Sequence, residues 1–346
     1  MEFKRDDFRG FSSESQRVVA NLEQVYDAWA DTRRQLEAMP VSLYWVEKGG
    51  VDYLAVKQTS RDNGTTVGRR SDATARQFEE FTDEKNRLKL RLAGLATQLV
   101  ERAGIYRRLR LPSLPDRQAE ILRRLDIEGM LGSDLMVVGT NAFAAYELAC
   151  GARFPVGNEE TEDFDLAWCR DTKASLVATG RAVGSASKTL FSVLTSIDSS
   201  YRISARRPYQ AVNDDGYEVE LLAAPSVHPL PAAEAFDPMA SLIEQEWLLL
   251  GEPLRHVVAT LRGRACPLYV PDPRWMALHK LWLADKPERK ASKREKDRRQ
   301  GEVLLDATRF FLSNSHPIDV AFVLDLPEDL RTHFDDWAST RAFVPA

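Results

Sequence analysis

The chain has 346 residues, 44% hydrophobic and 29% charged, a globular balance with enough apolar side chains for a sizeable core. A formal net charge of -5 argues against a blanket polyanion binder, so any nucleic-acid contact has to come from a local basic patch. The three cysteines, Cys150, Cys169 and Cys266, form no CxxC pair and no Cys/His cluster, which argues against structural zinc and fits a reducing compartment. The stretch from Met1 to Asp7 lacks the apolar region of a secretory signal, and no apolar run reaches the roughly 18 residues of a membrane span. The expected location is the cytoplasm, without a membrane partner.

Three parts follow in chain order: residues 1–112, 113–240 and 241–346. In the first, Val18, Leu22, Val25, Trp29 and Leu36 make a helical stripe over about 15–38. Over about 72–103, Phe78, Phe81, Leu88, Leu92, Leu95 and Leu99 recur at steps of three and four, with Lys85 in one slot, close to a heptad. Between them, Ser42–Val46 and Asp52–Lys57 flank Lys48-Gly49-Gly50 and predict a β-hairpin. The two long helices are the natural surface for a homodimer or another partner. The polar stretch Thr59–Ser71, with Arg61, Arg69 and Arg70, reads as a basic loop.

In the second part, residues 116–127 read as a helix and Leu135–Val138 as a fully apolar strand. Gly139-Thr140 follows at once, then an Ala-rich helix over 142–150 that ends at Gly151. Past a polar loop, Asp163-Phe164-Asp165-Leu166-Ala167-Trp168 alternates like a strand. Residues 190–197 look helical, and Tyr209–Val212 and Tyr217–Leu222 look like strands joined by Asn213-Asp214-Asp215-Gly216. In the third part, Pro267–Val270 reads as a strand. Pro271-Asp272-Pro273 opens a helix over 274–284, and two or more further helices run to about Trp337.

Two features carry chemistry. Asp163 and Asp165, two apart on a strand, put their carboxylates on one face, where they repel unless a cation lies between them. Gly139-Thr140 sits between a strand and a helix N-terminus, where backbone N–H groups point at phosphates. A two-metal site needs a further acid on a neighbouring strand. Glu220, flanked by Val219 and Leu221, is preferred over Glu218 on the same face. From Lys286 to Arg299 eight basic residues stand against three acids, either as a solvated helix face or as a holder of phosphates. His279 reads as a helix-packing residue. An Asp-x-Asp pair also serves nucleotide-sugar glycosyltransferases, but those lack a Gly-Thr turn beside it.

Val137-Val138-Gly139-Thr140-Asn141-Ala142, Thr161-Glu162-Asp163-Phe164-Asp165-Leu166 and Val219-Glu220-Leu221 together resemble the polymerase-β-like nucleotidyltransferase superfamily. Its pattern is a hydrophobic–Gly–Gly/Ser turn, an Asp-x-Asp/Glu pair and a later single acid. Here Thr140 stands for Ser or Gly, Glu220 for the usual Asp, and the gap from Gly139 to Asp163 is long. The Thr-x-Asp form and the run Pro271–Leu281 with Arg289, Lys296 and Asp297 look like a bacterial subfamily that includes abortive-infection and toxin-type transferases.

The resemblance covers roughly 115–310. It implies an α+β fold: a small mixed β-sheet core over 113–240, with an N-terminal helical and hairpin region and a mainly helical C-terminal domain. It implies transfer of an NMP from an NTP, ATP among the candidates, to an acceptor hydroxyl on RNA, tRNA or protein. The alternative is a nucleotide- or partner-binding module without turnover. By the same resemblance Asp163, Asp165 and Glu220 are the catalytic and metal-binding residues for Mg2+ or Mn2+. Gly139, Thr140, Asn141, Thr161, Lys280, Arg289 and Lys296 contact the nucleotide.

Overall fold

The computed structural model describes residues 2–155, 173–178, 189–227 and 243–345. The expected strand over 163–168, with Asp163 and Asp165, lies outside the described residues, as does Thr161. In chain order the strands are β1 (Arg9–Gly10), β2 (Ser42–Lys48), β3 (Val51–Lys57), β4 (Thr65–Arg69), β5 (Ser113–Leu114), β6 (Leu135–Val138), β7 (Ala152–Arg153), β8 (Lys173–Ala178), β9 (Arg202–Ile203), β10 (Gln210–Val212), β11 (Glu218–Leu222), β12 (Leu254–Thr260) and β13 (Ala265–Val270). The α-helices are α1 (Ser13–Ala38), α2 (Asp72–Arg108), α3 (Asp116–Ile127), α4 (Phe143–Cys150), α5 (Leu190–Ile197), α6 (Pro273–Ala284), α7 (Ala291–Phe311), α8 (Val320–Leu324) and α9 (Glu328–Thr340). These elements make the mixed α+β fold expected. The chain divides into two compact units, Glu23–Arg102 and the remainder, and α1 and α2 each run through a boundary.

In the Glu23–Arg102 unit the expected hairpin β2–β3 gains a third antiparallel strand, giving the order β2-β3-β4. The stretch read as a loop holds the β-branched run Thr65-Thr66-Val67, which suits a strand, and a bulge at Leu54/Ala55 lets β4 pair along β3. Leu54 is wholly buried, and Trp45 on β2 meets Phe78 on α2 with centroids 5.9 Å apart. Lys85, the odd member of the α2 stripe, donates through Nζ to the carbonyls of Pro40 (2.8 Å) and Val41 (2.6 Å). It holds the end of the α1–β2 connection, so its place among apolar residues has a physical reason.

The larger unit is built on a five-stranded mixed sheet, β6-β8-β11-β10-β9. β6 runs antiparallel to β8, β8 parallel to β11, and β10 antiparallel to both β11 and β9. β8 and β12 were not anticipated from the sequence. β12 forms a hairpin with β13, closed by the bond from the Thr260 N–H to the Arg264 carbonyl (2.8 Å), and takes β5 in parallel on its other side.

α4 is buried nearly all round, including Phe143, Ala145 and Tyr146, which explains its Ala-rich apolar composition. It packs on β12, β13 and α7, and Tyr146 Oη donates to the Pro271 carbonyl at 2.9 Å. α6 starts as its sequence signals: Asp272 Oδ1 accepts from the Arg274 N–H at 2.9 Å, with Pro273 at the first position. α6 and α7 pack tightly because Gly301 lies where a Cβ would come within 2.6 Å of Leu281 Cγ and 2.8 Å of the Ala277 carbonyl. At the far end of α7, Asp306 is wholly buried and accepts from Arg341 Nε (2.6 Å) and Nη2 (2.8 Å), Trp337 Nε1 (3.2 Å) and the Phe3 N–H (3.2 Å).

Candidate functional site

The strand β6 is buried at all four positions and ends at Gly139, whose φ of 78° and ψ of -155° put it in a region open in practice only to glycine. Among the described residues nothing beyond its chain neighbours lies within 4 Å of where a Cβ would stand, so the requirement is conformational. The backbone reverses there into a single turn, Thr140–Ala142, that leads directly into α4. Thr140 and Asn141 are both buried. The N–H groups at this junction are the donors that a helix start offers to an anion.

Across the sheet, Val138 pairs with Ser175, Ser175 with Glu220, and Glu220 with Gln210. The end of β6 and Glu220 therefore lie in one row, two strands apart, which is roughly 10 Å at ordinary strand spacing. Val219 and Leu221 are buried on one face of β11, while Glu218 and Glu220 point to the other. Gln210 Nε2 lies between the two carboxylates, donating to Glu218 Oε2 at 2.6 Å and reaching Glu220 Oε1 at 3.4 Å. Glu220 is itself buried. Among the described residues no group of three or more His, Cys, Asp or Glu is placed to hold a metal.

The cations meet on the helical side. Lys280 Nζ donates to Asp297 Oδ1 at 2.7 Å, and Arg289 Nε bonds to Asp297 Oδ2. Burial pulls the Lys280 amine below its usual range, while Asp297 beside it works to keep the charge on. Burial pushes the Asp297 carboxyl up, but Lys280 and Arg289 pull it down further, so it stays ionised below the ordinary carboxylate value. The charge of Lys296 also reaches Lys280. Three cations against one carboxylate leave this cluster net positive.

Gln300 connects the cluster to the turn. It sits three residues past Asp297, on the same face of α7, and its Nε2 donates to Thr140 Oγ1 at 3.3 Å. Gln300 is 1% exposed. The fold thus carries a cationic cluster to a turn some 160 residues away in sequence.

Residues 116–319, well over half of the chain, match the family model described as Nucleotidyltransferase. The chain belongs to this nucleotidyltransferase family. No curated protein matches the chain, and no solved structure does. The matched segment takes in the Gly139 turn, β11 with Glu220, and α6 and α7 with the Lys280–Asp297 pair, together with Asp163 and Asp165.

Of the residues singled out from sequence, Gly139, Thr140 and Asn141 stand at one junction. Glu220 lies in line with them on the sheet, Lys280 and Arg289 meet at Asp297, and Lys296 is near enough for its charge to act on Lys280. Asp163, Asp165 and Thr161 lie outside the described residues. Gln300 and Gln210 escaped the sequence reading. Gln300 stands just past the charged run of Lys286–Arg299, and only its burial sets it apart.

His279 is buried and packs between aromatic rings, stacked on Trp282 (6.1 Å) and edge-on to Trp247 (6.4 Å). Neither ring nitrogen has a hydrogen-bond partner among the described residues. Burial drives its pKa down to about 3, so the ring is neutral at physiological pH.

Proposed function

We propose that the chain transfers an NMP from an NTP to an acceptor hydroxyl. The observation that carries the reading is the Thr140–Gln300 link, which joins a glycine turn at a helix start to a buried cationic cluster inside the family-matched segment. Those are two of the things a triphosphate needs: backbone donors and fixed positive charge.

The donor set fits magnesium or manganese. Glu218 and Glu220 bring two hard carboxylates to one face, and Asp163 and Asp165 are two more in the matched segment. In this reading Asp163, Asp165 and Glu220 would hold the metal, which when bound neutralises the triphosphate and favours attack by the acceptor oxygen. The Gly139–Asn141 turn and Thr161 receive the phosphates. Lys280, Arg289 and Lys296 offset the charge that develops on the leaving group, and Gln300 keeps the Thr140 hydroxyl in place. The acceptor O–H attacks the α-phosphorus. The bond from that phosphorus to the bridging oxygen breaks, pyrophosphate leaves with the electron pair, and the acceptor proton goes to a carboxylate or to water. RNA, tRNA and protein hydroxyls are the acceptors proposed, with a toxin or defence role among the settings.

Incubation in cell lysate with magnesium and either α- or γ-labelled NTPs tests this. Label from the α position alone, in a macromolecule, supports nucleotidyl transfer. Label from the γ position means phosphoryl transfer and overturns it. Saturable NTP binding with label in neither fraction points to a binding module without turnover.

A further inference from the structure

The three-stranded sheet of the Glu23–Arg102 unit has a covered face and an open one. Cross-strand partners point to the same side, so Trp45, Leu54 and Gly68 share the face that packs on Phe78 and Thr74. The opposite face carries Tyr44 and Lys48 from β2, Tyr53 and Lys57 from β3, and Thr66 and Arg69 from β4. Two contacts fix that placement: Lys48 Nζ donates to Thr66 Oγ1 at 3.1 Å, and Lys57 Nζ lies 6.0 Å from the Tyr44 ring centroid.

Lys48 and Arg69 are exposed, and both tyrosines are half-buried, held in the sheet with part of each ring still open. No carboxylate stands in the rows of this face. Glu47 and Asp52 belong to the covered side, where Asp52 holds Arg70 at 2.8 Å. Asp62, in the connection to β4, is close enough to Lys57 to feel its charge. Its oxygens accept the Gln58 N–H (3.1 Å) and the Gly64 N–H (2.9 Å). Three cations and two tyrosine rings therefore share one open sheet face, in a chain whose net charge is -5. A solvent face needs no such pairing of rings and amines. Nucleobases and backbone phosphates use both.

We propose that this sheet face binds single-stranded nucleic acid, with Tyr44 and Tyr53 as stacking platforms and Lys48, Lys57 and Arg69 on the phosphates. The proposal stands whether or not the chain transfers nucleotides to the bound strand.

The test is fluorescence anisotropy of labelled oligo(U) and oligo(dT) of about 15 nucleotides, titrated with the full chain at about 50 mM and 200 mM salt. Binding is expected to saturate and to weaken with salt. The Tyr44→Ala/Tyr53→Ala variant is expected to lose at least about tenfold in affinity, and Tyr44→Phe/Tyr53→Phe to keep it. Lys57→Gln/Arg69→Gln is expected to flatten the salt slope by about 1.4, the value for two phosphate contacts on a single strand. The Phe and Gln variants preserve packing, so they decide the matter even if the alanine variant unfolds. Asp165→Asn is expected to bind as tightly as the wild type, which separates this surface from the transfer site. The proposal is overturned by absence of saturable binding, by equal affinity in the alanine and wild-type chains, or by tighter binding of duplex or of anionic phosphatidylglycerol vesicles.

Discussion

Replacing Asp297 by alanine tests the cationic cluster from two sides. The Asp297 side chain is 3% exposed and that of Lys280 6%, so the variant strands a buried ammonium and leaves Arg289 without its partner. Breaking a buried ion pair by removing one member costs about 3–5 kcal/mol. At about 2 °C per kcal/mol for a chain of this size, the melting temperature should fall by about 6–10 °C. Replacing the pair together, Lys280→Met/Asp297→Leu, removes both charges and should return stability to within about 1 kcal/mol of the parent, since apolar replacements of buried pairs are often neutral. The double variant separates structure from function. If Lys280 also serves the triphosphate, a chain with restored stability should still need a higher NTP concentration for transfer. Thermal denaturation, with KM for the NTP measured in parallel, reads both quantities. A stable Asp297→Ala chain would refute the reading of the pair as buried and coupled. A double variant with unchanged KM would refute a role for Lys280 in holding the nucleotide.

Further outcomes follow from single contacts. Gly301→Ala should lower stability by about 1–2 kcal/mol, because crowding against Leu281 and the Ala277 carbonyl outweighs the roughly 1 kcal/mol of helix propensity gained. Gly94→Ala in α2, where a Cβ meets nothing within 4 Å, should raise it by up to about 1 kcal/mol. Paired urea titrations check the opposite signs. Thr140→Val and Gln300→Leu should each reduce transfer with little change in folding, read as kcat/KM beside a melting curve, and the combined variant should lose little more than either alone.

His279 has a folded pKa of about 3 against an ordinary 6.5, so it stays neutral in the fold while the unfolded chain takes up its proton. Its contribution is therefore intact above about pH 6.5 and declines as pH falls toward 3. Between pH 7 and pH 5 the loss should be about 2 kcal/mol. His279→Phe, which can stack between the same tryptophans, should show that much less destabilisation over the interval.

Where local rules dominate, the sequence was readable. The helix over 116–127, the strand over 135–138 and the turn at Gly216 follow from apolar periodicity and glycine placement, and the structure has each. The glycine turn at 139 was legible from its place between an apolar strand and a helix start, and the burial of Glu220 from its apolar neighbours Val219 and Leu221. The unanticipated elements depend on distant partners. β4 exists because β3 offers an edge and a bulge, and β12 because β13 and β5 lie on either side of it. In the charged run after Lys286, Asp297 stood out only through the family resemblance and Gln300, just past its end, not at all, yet both turn inward, toward Lys280 and Thr140. Nothing in the neighbours of Gln300 distinguishes it from a solvated residue.

The transfer we propose depends on Asp163 and Asp165. Its most direct measurement is pyrophosphate release, coupled to incorporation of α-labelled NMP into lysate RNA or protein, by the wild-type chain and by Asp165→Asn side by side. Incorporation matched one-to-one by pyrophosphate is expected in the wild type, and loss of both in a variant that still melts at the parental temperature. Undiminished transfer by Asp165→Asn would contradict that dependence.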